Sequence, residues 1–264
     1  MKKFVCLGVA TLLMAGFVAS ALATTVPTTA VIFERVFNDC PTSILTTVNN
    51  YPTLISINDQ KQFCGTAGFA NRHAWRFSTD GTTAQEFMNT DGFAFSAQVT
   101  ITGTGDGEAG IGISPWWSQL VDGMFNVRST DGEIAVFGGR LPFYSFTAAY
   151  GVNYVKGETI CLEMIYTPNN LTQINPGTIE YRIIYDSMVY SSGPLPFDEG
   201  NPAEPYGLWG ILNEATAGGY TQMFIQEGAD DAYLQVDWGT ICFFDLGTVA
   251  ASPSTWSHVK SLYR

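Results

Sequence analysis

The residues of this sequence best suited to chemistry are aromatic and polar side chains of the kind that bind sugars. Carbohydrate recognition uses aromatic faces that stack on sugar rings, with amides and charged groups that bond the hydroxyls. The candidates are Trp75, Trp116, Trp117, Trp209, Asn213, Arg128 and Arg140. Trp116 and Trp117 are adjacent, so in an extended chain one faces the core and the other faces outward. The alternative for each tryptophan is a place in the core, because aromatic residues dominate core burial.

Paired carboxylates for glycosidic hydrolysis are not evident from the spacing. Glu158 and Glu163 are five residues apart and fall on opposite faces of a regular strand. Glu163 and Glu180 could meet across a hairpin, as could any two solvent-facing acids, and hydrolysis needs two carboxylates that flank one bond. No G-x-S-x-G or C-x-x-C motif is present, and His73 and His258 are isolated, so neither a serine nucleophile elbow nor a structural zinc site is indicated.

The elements that would position these residues are β-strands. Apolar residues recur at every second position in 93–101 and again in 160–166, which is typical of an antiparallel sheet with one buried face. The polar, turn-rich segment 167–177 predicts a hairpin between 158–166 and 178–185, and Asp131-Gly132 predicts another between 124–128 and 133–137. A further strand is predicted at 206–212. We expect an all-β, antiparallel β-sandwich.

The order of these signals resembles the concanavalin A-like jelly rolls of the laminin-G, legume-lectin and glucanase type. The segments that carry the resemblance are residues 91–102, the Gly110-Ile-Gly-Ile113 return, 156–168 with 177–181, and the closing strand 234–243, so that it covers roughly residues 74–246. Members bind glycans, degrade polysaccharides or mediate adhesion. The E-x-D-x-E strand of the retaining glucanases and the arginine, glutamine, histidine and tyrosine set of the lyases are not recognisable here.

The resemblance also implies a structural calcium ion. Jelly rolls that hold such an ion place its ligands near the closing strand, where this sequence has Asp230, Asp231 and Asp237. Asp106 and Glu108 form a second acidic candidate. Calcium requires several oxygen ligands, and the alternative for each of these residues is a solvated turn.

The first 23 residues read as a secretory signal peptide. They have a basic Met-Lys-Lys start, an apolar run and an Ala21-Leu-Ala23 exit, and the alternative of an uncleaved membrane anchor is disfavoured because the run is barely long enough to span. No other stretch is apolar enough to cross a bilayer. We therefore expect a secreted or extracellular protein, with a periplasmic or cell-surface location left open.

Four cysteines remain after the signal, an even number that predicts two disulfides in a secreted chain. Three pairings are possible, and we favour Cys40–Cys64, which closes a local loop, and Cys161–Cys242, which would join two strands. One glycosylation sequon is present at Asn170-Leu-Thr172; it matters only in a eukaryotic host, whereas the Met-Lys-Lys start is more typical of a bacterial protein.

The acidic surface excludes nucleic acid as a partner. Loss of Lys2 and Lys3 from the 12 basic residues leaves 10 against 24 acidic residues, a net charge of −14, which repels phosphates. We divide the chain into signal peptide (1–23), N-terminal extension with strands and a disulfide loop (24–73), β-sandwich (74–250) and C-terminal tail (251–264).

Three functions follow from these observations. The first is a secreted, non-catalytic carbohydrate-binding or adhesion domain whose partner is a glycan or cell-surface polysaccharide. The second is a polysaccharide-degrading hydrolase or lyase of the same fold. The third is a structural surface protein without a small ligand.

Overall fold

The computed structural model describes residues 25–64, 68–118, 121–138, 141–197, 209–225 and 229–248. The predicted signal peptide and C-terminal tail therefore lie outside the described residues. The strands, in chain order, are β1 (Thr29–Asn38), β2 (Ile44–Asn50), β3 (Leu54–Gln60), β4 (Ala70–Ser78), β5 (Glu86–Phe87), β6 (Asp91–Thr102), β7 (Gly107–Ser118), β8 (Val121–Arg128), β9 (Ile134–Phe137), β10 (Tyr144–Ser145), β11 (Thr159–Thr167), β12 (Thr178–Tyr185), β13 (Met188–Pro196), β14 (Ala215–Phe224) and β15 (Tyr233–Thr248). A short helix, α1 (Phe146–Tyr150), precedes β11. Among the described residues, no helix is long and apolar enough to cross a membrane.

The strands form two antiparallel sheets. The first has the order β1-β4-β14-β7-β8-β9-β10, with β5 also paired to β14, and the second has the order β13-β12-β11-β6-β15-β3-β2. The predicted all-β sandwich of jelly-roll type is confirmed. The two predicted hairpins are confirmed as well, since β11 pairs with β12 and β8 pairs with β9. The predicted strand at 206–212 is wrong in its described part, because residues 209–212 lie in a turn.

The core lies between the two sheets and follows the period of two. On β6 the side chains of Phe93, Phe95, Ala97, Val99 and Ile101 are buried. They meet aromatic residues from β4 and β15. Phe77 makes edge-to-face contacts with Trp75, Phe95 and Phe243, and Trp75 makes a further one with Trp238. Each fully buried side chain of this size contributes about 1.5–3 kcal/mol relative to its exposed state.

The N-terminal strands belong to the sandwich on both sides. β1 pairs with β4 in the first sheet, while β2 and β3 pair with each other and β3 pairs with β15 in the second. The division that we placed at residue 74 falls inside β4, so the N-terminal segment completes both sheets.

A buried polar cluster joins the two sheets near this end. Nε2 of His73 and Nδ2 of Asn71, both on β4, lie 3.1 and 2.8 Å from Oδ2 of Asp59 on β3. The backbone N–H of Arg35 donates to Nδ1 of His73 at 2.9 Å. Because Nδ1 accepts, Nε2 carries the proton and donates to Asp59. Burial raises the pKa of Asp59, but hydrogen bonds from His73, Ser43 and Asn71 outweigh burial and leave that pKa below its ordinary value.

One of the two predicted disulfides is present. Cys40 and Cys64 are bonded, with their Cα atoms 5.3 Å apart. The Cys161–Cys242 pairing is wrong, because Cys242 is a free thiol. Cys161 lies opposite Gln98 and Cys242 lies opposite Ser96, on the two sides of β6. Two strand spacings amount to about 10 Å, whereas a disulfide needs Cα atoms within about 7 Å.

We predict that the double variant Cys40→Ser/Cys64→Ser loses about 3 kcal/mol of unfolding free energy. The bridge spans a sequence separation of 24 residues, and closing such a loop restricts the unfolded chain. Urea unfolding of the variant and the wild type measures the difference. Cys242→Ser is the matched control and should leave the unfolding midpoint unchanged. An unchanged midpoint in the double variant would show that the bridge adds no stability.

Candidate binding site

The outer face of the first sheet carries a row of polar side chains across four strands. Trp75 on β4, Ile111 on β7 and Phe125 on β8 face the core, so the alternate residues of these strands face outward. The register places Arg72 of β4 beside Gln222 of β14, Gln222 beside Glu108 of β7, and Glu108 beside Arg128 of β8. In the next row, Tyr220 lies beside Gly110 and Gly110 beside Asn126. We call Arg72, Glu108, Asn126, Arg128, Tyr220 and Gln222 the outer-face site.

Arg72 is the side chain that spans this site. Its guanidinium carbon lies 4.3 Å from the centroid of the Tyr220 ring, a cation–π contact. Nη1 of Arg72 lies 3.4 Å from Oε1 of Gln222 and 3.1 Å from Sδ of Met124. Since Met124 belongs to β8, the two side chains meet above β14 and β7. The guanidinium thus contacts an aromatic ring and an amide; the Tyr220 ring is buried, whereas Arg72 and Gln222 are half-buried.

Glu108 is the buried carboxylate of the site. It is 6% exposed, and its Oε2 accepts a hydrogen bond from Nδ2 of Asn126 at 2.8 Å. Burial raises the pKa of Glu108, and the charges of Arg128 and Arg72 and the bond from Asn126 oppose that rise in part. A carboxyl group with a raised pKa holds its proton at higher pH than usual, which suits hydrogen-bond donation or proton transfer.

Arg128, at the other end of the row, is shared with the surface. Its Nη1 lies 2.7 Å from Asp131 and its Nη2 lies 2.9 Å from Glu133, and its side chain is 27% exposed. Both acids lie in the connection between β8 and β9. Arg128 therefore lies at the border of the site with its charge balanced by two acids, and its contact with a ligand stays a prediction.

Two neighbouring glycines lie in the middle of this face. Gly218 of β14 and Gly112 of β7 lie side by side between Arg76 and Met124. A Cβ added at Gly218 would lie 2.8 Å from Cα of Arg76 and closer still to the carbonyl oxygen of Trp75. Such contacts involve backbone and cannot be relieved by a rotamer change, so only glycine fits. Both glycines are themselves buried, so they mark a closely packed part of this face next to the outer-face site, as glycines in strands often do.

Two of the four tryptophans predicted to bind ligand, Trp75 and Trp209, lie outside this site. Trp75 is fully buried in the core and cannot stack on a ligand at the surface, because it packs edge-to-face against Phe77 and Trp238. Trp116 and Trp117 belong to β7, but their side chains, like the whole of Arg140, lie outside the described part of the chain.

Trp209 and Asn213 lie together in a turn that leads into β14. The carbonyl oxygen of Trp209 accepts the N–H of Gly177 at 2.7 Å, and Oδ1 of Asn213 accepts the N–H of Asn89 at 3.0 Å. Both residues are half-buried. Their described contacts hold loops together, and neither belongs to the outer-face site.

The three aspartates predicted to bind calcium do not converge. Asp230 and Asp231 lie in the turn before β15, where Asp230 is 3.8 Å from Nζ of Lys61, while Asp237 lies four residues into the strand. At about 3.3 Å per residue, an extended strand puts well over 10 Å between Asp237 and the turn. Asp237 instead accepts hydrogen bonds from Ser56 at 2.6 Å and Gln235 at 3.1 Å. Within the described ranges, no group of three or more His, Cys, Asp and Glu side chains is placed to hold a metal ion.

Glu163 and Glu180 meet on the outer face of the second sheet, with an arginine between them. Arg182 lies 2.6 Å from Glu180 and 3.5 Å from Glu163. Burial raises the pKa of Glu163. Burial also raises that of Glu180, but bonds from Arg182 and Ser191 outweigh it and lower the pKa overall. The intervening guanidinium occupies the space where a scissile bond would have to lie, so this pair is unsuited to glycosidic hydrolysis.

No protein-family model matches the sequence, and no curated protein matches it. Among solved structures, a family 7 alginate lyase in complex with substrate is similar, with 8% identity over 77% of this chain and 82% of that chain and a TM-score of 0.45.

Two lectin-type structures are also similar. Arcelin-5, a lectin-like defense protein from Phaseolus vulgaris, shows 13% identity over 81% of this chain and 97% of its own, with a TM-score of 0.34. The carbohydrate recognition domain of Emp46p shows 7% identity over 79% and 88%, with a TM-score of 0.38. At this level of identity the likeness is one of fold alone.

Proposed function

We propose that this chain is a secreted, non-catalytic carbohydrate-binding protein that holds a glycan on the outer face of its first sheet. The observation that carries the proposal is the outer-face site, where Arg72 contacts Gln222 and Tyr220. The half-buried guanidinium of Arg72 and amide of Gln222 lie there beside the buried Tyr220 ring and the buried carboxyl group of Glu108. Charged groups and amides of this kind bond sugar hydroxyls, and strands hold them in fixed positions.

We predict that Arg72→Ala/Gln222→Ala weakens glycan binding about tenfold or more, which corresponds to about 1.4 kcal/mol. The wild-type chain is first screened on a glycan array, and the affinity for the strongest ligand is then measured for both proteins. Arg182→Ala, on the outer face of the second sheet, is the matched control and should bind like the wild type. The proposal fails if the wild type binds no glycan, and the site is misplaced if the double variant binds unchanged.

The predicted calcium ion is tested on the same array. Binding that disappears with a chelator and returns with added calcium would support an ion near Asp230 and Asp231. Binding that ignores the chelator would mean that the protein groups recognise the glycan without it. The calcium ion stays a prediction, and Asp237 lies too far from Asp230 and Asp231 to bind the same ion.

A second candidate function is polysaccharide degradation, and Glu108 is the observation that favours it. A buried carboxyl group with a raised pKa is a typical general acid. Release of reducing ends or unsaturated products from a polysaccharide that the chain binds, together with its loss in Glu108→Gln, would establish an enzyme. Binding without product would leave the non-catalytic proposal in place.

A further inference from the structure

The loop between β11 and β12 holds a motif that the proposed function does not use. Asn170-Leu171-Thr172 is the single Asn-x-Ser/Thr sequence in the chain. Asn170 and Thr172 are both exposed, three and five residues after the end of β11. An N-linked glycan is bulky and hydrophilic, so its asparagine must lie at the surface of the folded protein. This loop meets that requirement.

The neighbouring asparagine, Asn169, differs from Asn170 in its exposure and its hydrogen bonds. Nδ2 of Asn169 donates to the carbonyl oxygen of Pro176 at 2.8 Å, which closes the base of the loop. Asn169 is half-buried, whereas Asn170 extends into solvent. The hydroxyl of Thr172 accepts the N–H of Asn175 at 3.1 Å, a contact that serine can also make. A glycan on Asn170 therefore leaves the bonds that shape the loop in place.

The Cys40–Cys64 bridge supplies the second, independent observation. Disulfides form in oxidising compartments such as the lumen of the endoplasmic reticulum, which is also where eukaryotic cells attach N-linked glycans. A chain that acquires this bridge in a eukaryotic cell is therefore exposed to the glycosylation machinery.

We propose that Asn170 is an N-glycosylation site, used when the chain matures in a eukaryotic secretory pathway. The co-reactant is an oligosaccharide linked to a lipid through pyrophosphate. Nδ2 of Asn170 attacks the anomeric carbon, so that a C–N bond forms and the C–O bond to pyrophosphate breaks. The lipid pyrophosphate leaves with the electron pair of that bond, and the amide nitrogen loses one proton. The loop lies at the end of the second sheet, away from the row of Arg72 and Glu108, so the modification does not occupy the outer-face site.

The test is secretion of the full chain from cultured eukaryotic cells, followed by digestion with an amidase that removes N-linked glycans. We expect a mobility shift on digestion and conversion of Asn170 to aspartate in the peptide mass spectrum. Asn170→Gln and Thr172→Ala should each abolish the shift. Asn169→Gln and Thr172→Ser are the matched controls, because they change a neighbouring amide and a hydroxyl without removing the motif, and both should keep the shift.

The possible outcomes separate cleanly. A secreted wild-type chain that shows no shift would overturn the proposal, as would a shift that persists in Asn170→Gln. Near-ultraviolet circular dichroism and thiol titration are recorded for every variant, so that loss of the glycan can be distinguished from loss of the fold. The result is independent of whether the outer-face site binds carbohydrate.

Discussion

Asp59→Leu is expected to lower the free energy of unfolding by about 3 kcal/mol or more. The Asp59 side chain is 2% exposed and that of His73 is fully buried. The substitution leaves Nε2–H of His73 in the interior without an acceptor, which costs about 1–3 kcal/mol. Nδ2 of Asn71 keeps the carbonyl oxygen of Cys40 and the hydroxyl of Ser43 as acceptors, but it loses its bond to the charged carboxylate, which is worth about 1.5–3 kcal/mol. Equilibrium unfolding in urea measures the loss. Asp237→Leu, which replaces a carboxylate on the outer face of the second sheet, is the matched control and should cost much less.

The same substitution should also change the response to acid. The pKa of Asp59 is lower in the folded protein than in the unfolded chain. Its stabilising effect is therefore fully present above the unfolded-state value of about 4 and is lost as the pH falls below it. The stability of the wild type should thus fall more steeply below about pH 4 than that of Asp59→Leu. Parallel curves for the two proteins would mean that the cluster does not depend on the charge of Asp59.

Trp238→Ala is expected to cost about 3–5 kcal/mol, the range for removal of a large aromatic side chain from a core. Trp238 is fully buried, and its ring centroid lies 6.3 Å from that of Trp75. Its Nε1–H donates to the carbonyl oxygen of Gly110 at 2.9 Å. Gly110 lies between Tyr220 and Asn126 in the first sheet, so this bond connects the core to the outer-face site. We expect glycan binding to weaken along with stability.

Trp238→Phe separates the two contributions. It keeps most of the ring volume but removes the N–H, and its loss of stability should be clearly smaller than that of Trp238→Ala. Chemical unfolding and glycan titration are run on both variants. A Phe variant as unstable as the Ala variant would show that the bond to Gly110, and not the ring volume, holds this position together.

The sequence was sufficient where the local pattern decides the structure. Alternation in β6 and β11 identified the buried faces, because a strand that has one face in the core must place every second residue there. The hairpin at Asp131-Gly132 followed from turn chemistry of the same local kind. In 209–212 the apolar alternation was misleading, since Trp209 takes a positive φ of 59° and the chain turns before β14 begins.

The contacts between distant strands could not be predicted in this way. The predicted Cys161–Cys242 bridge requires neighbouring strands, but β6 lies between β11, which carries Cys161, and β15, which carries Cys242. The outer-face site could not be predicted for the same reason, because its residues come from strands that are not consecutive in the chain. Arg72 lies on β4, Glu108 on β7 and Gln222 on β14. The alternate polar residues on each strand were visible in the sequence. The order of the strands, which brings them into one row, was not.

The position of β15 has a consequence for how the protein is made. This strand is the last in the described chain, yet it lies inside the second sheet, between β6 and β3. The nascent chain thus cannot complete that sheet until residue 248 has left the ribosome, and β6 and β3 have no shared partner until then. Pairings over such long sequence separations form slowly. Until β15 has emerged, one edge of β6 and one edge of β3 stay unpaired, and such edges are exposed to aggregation.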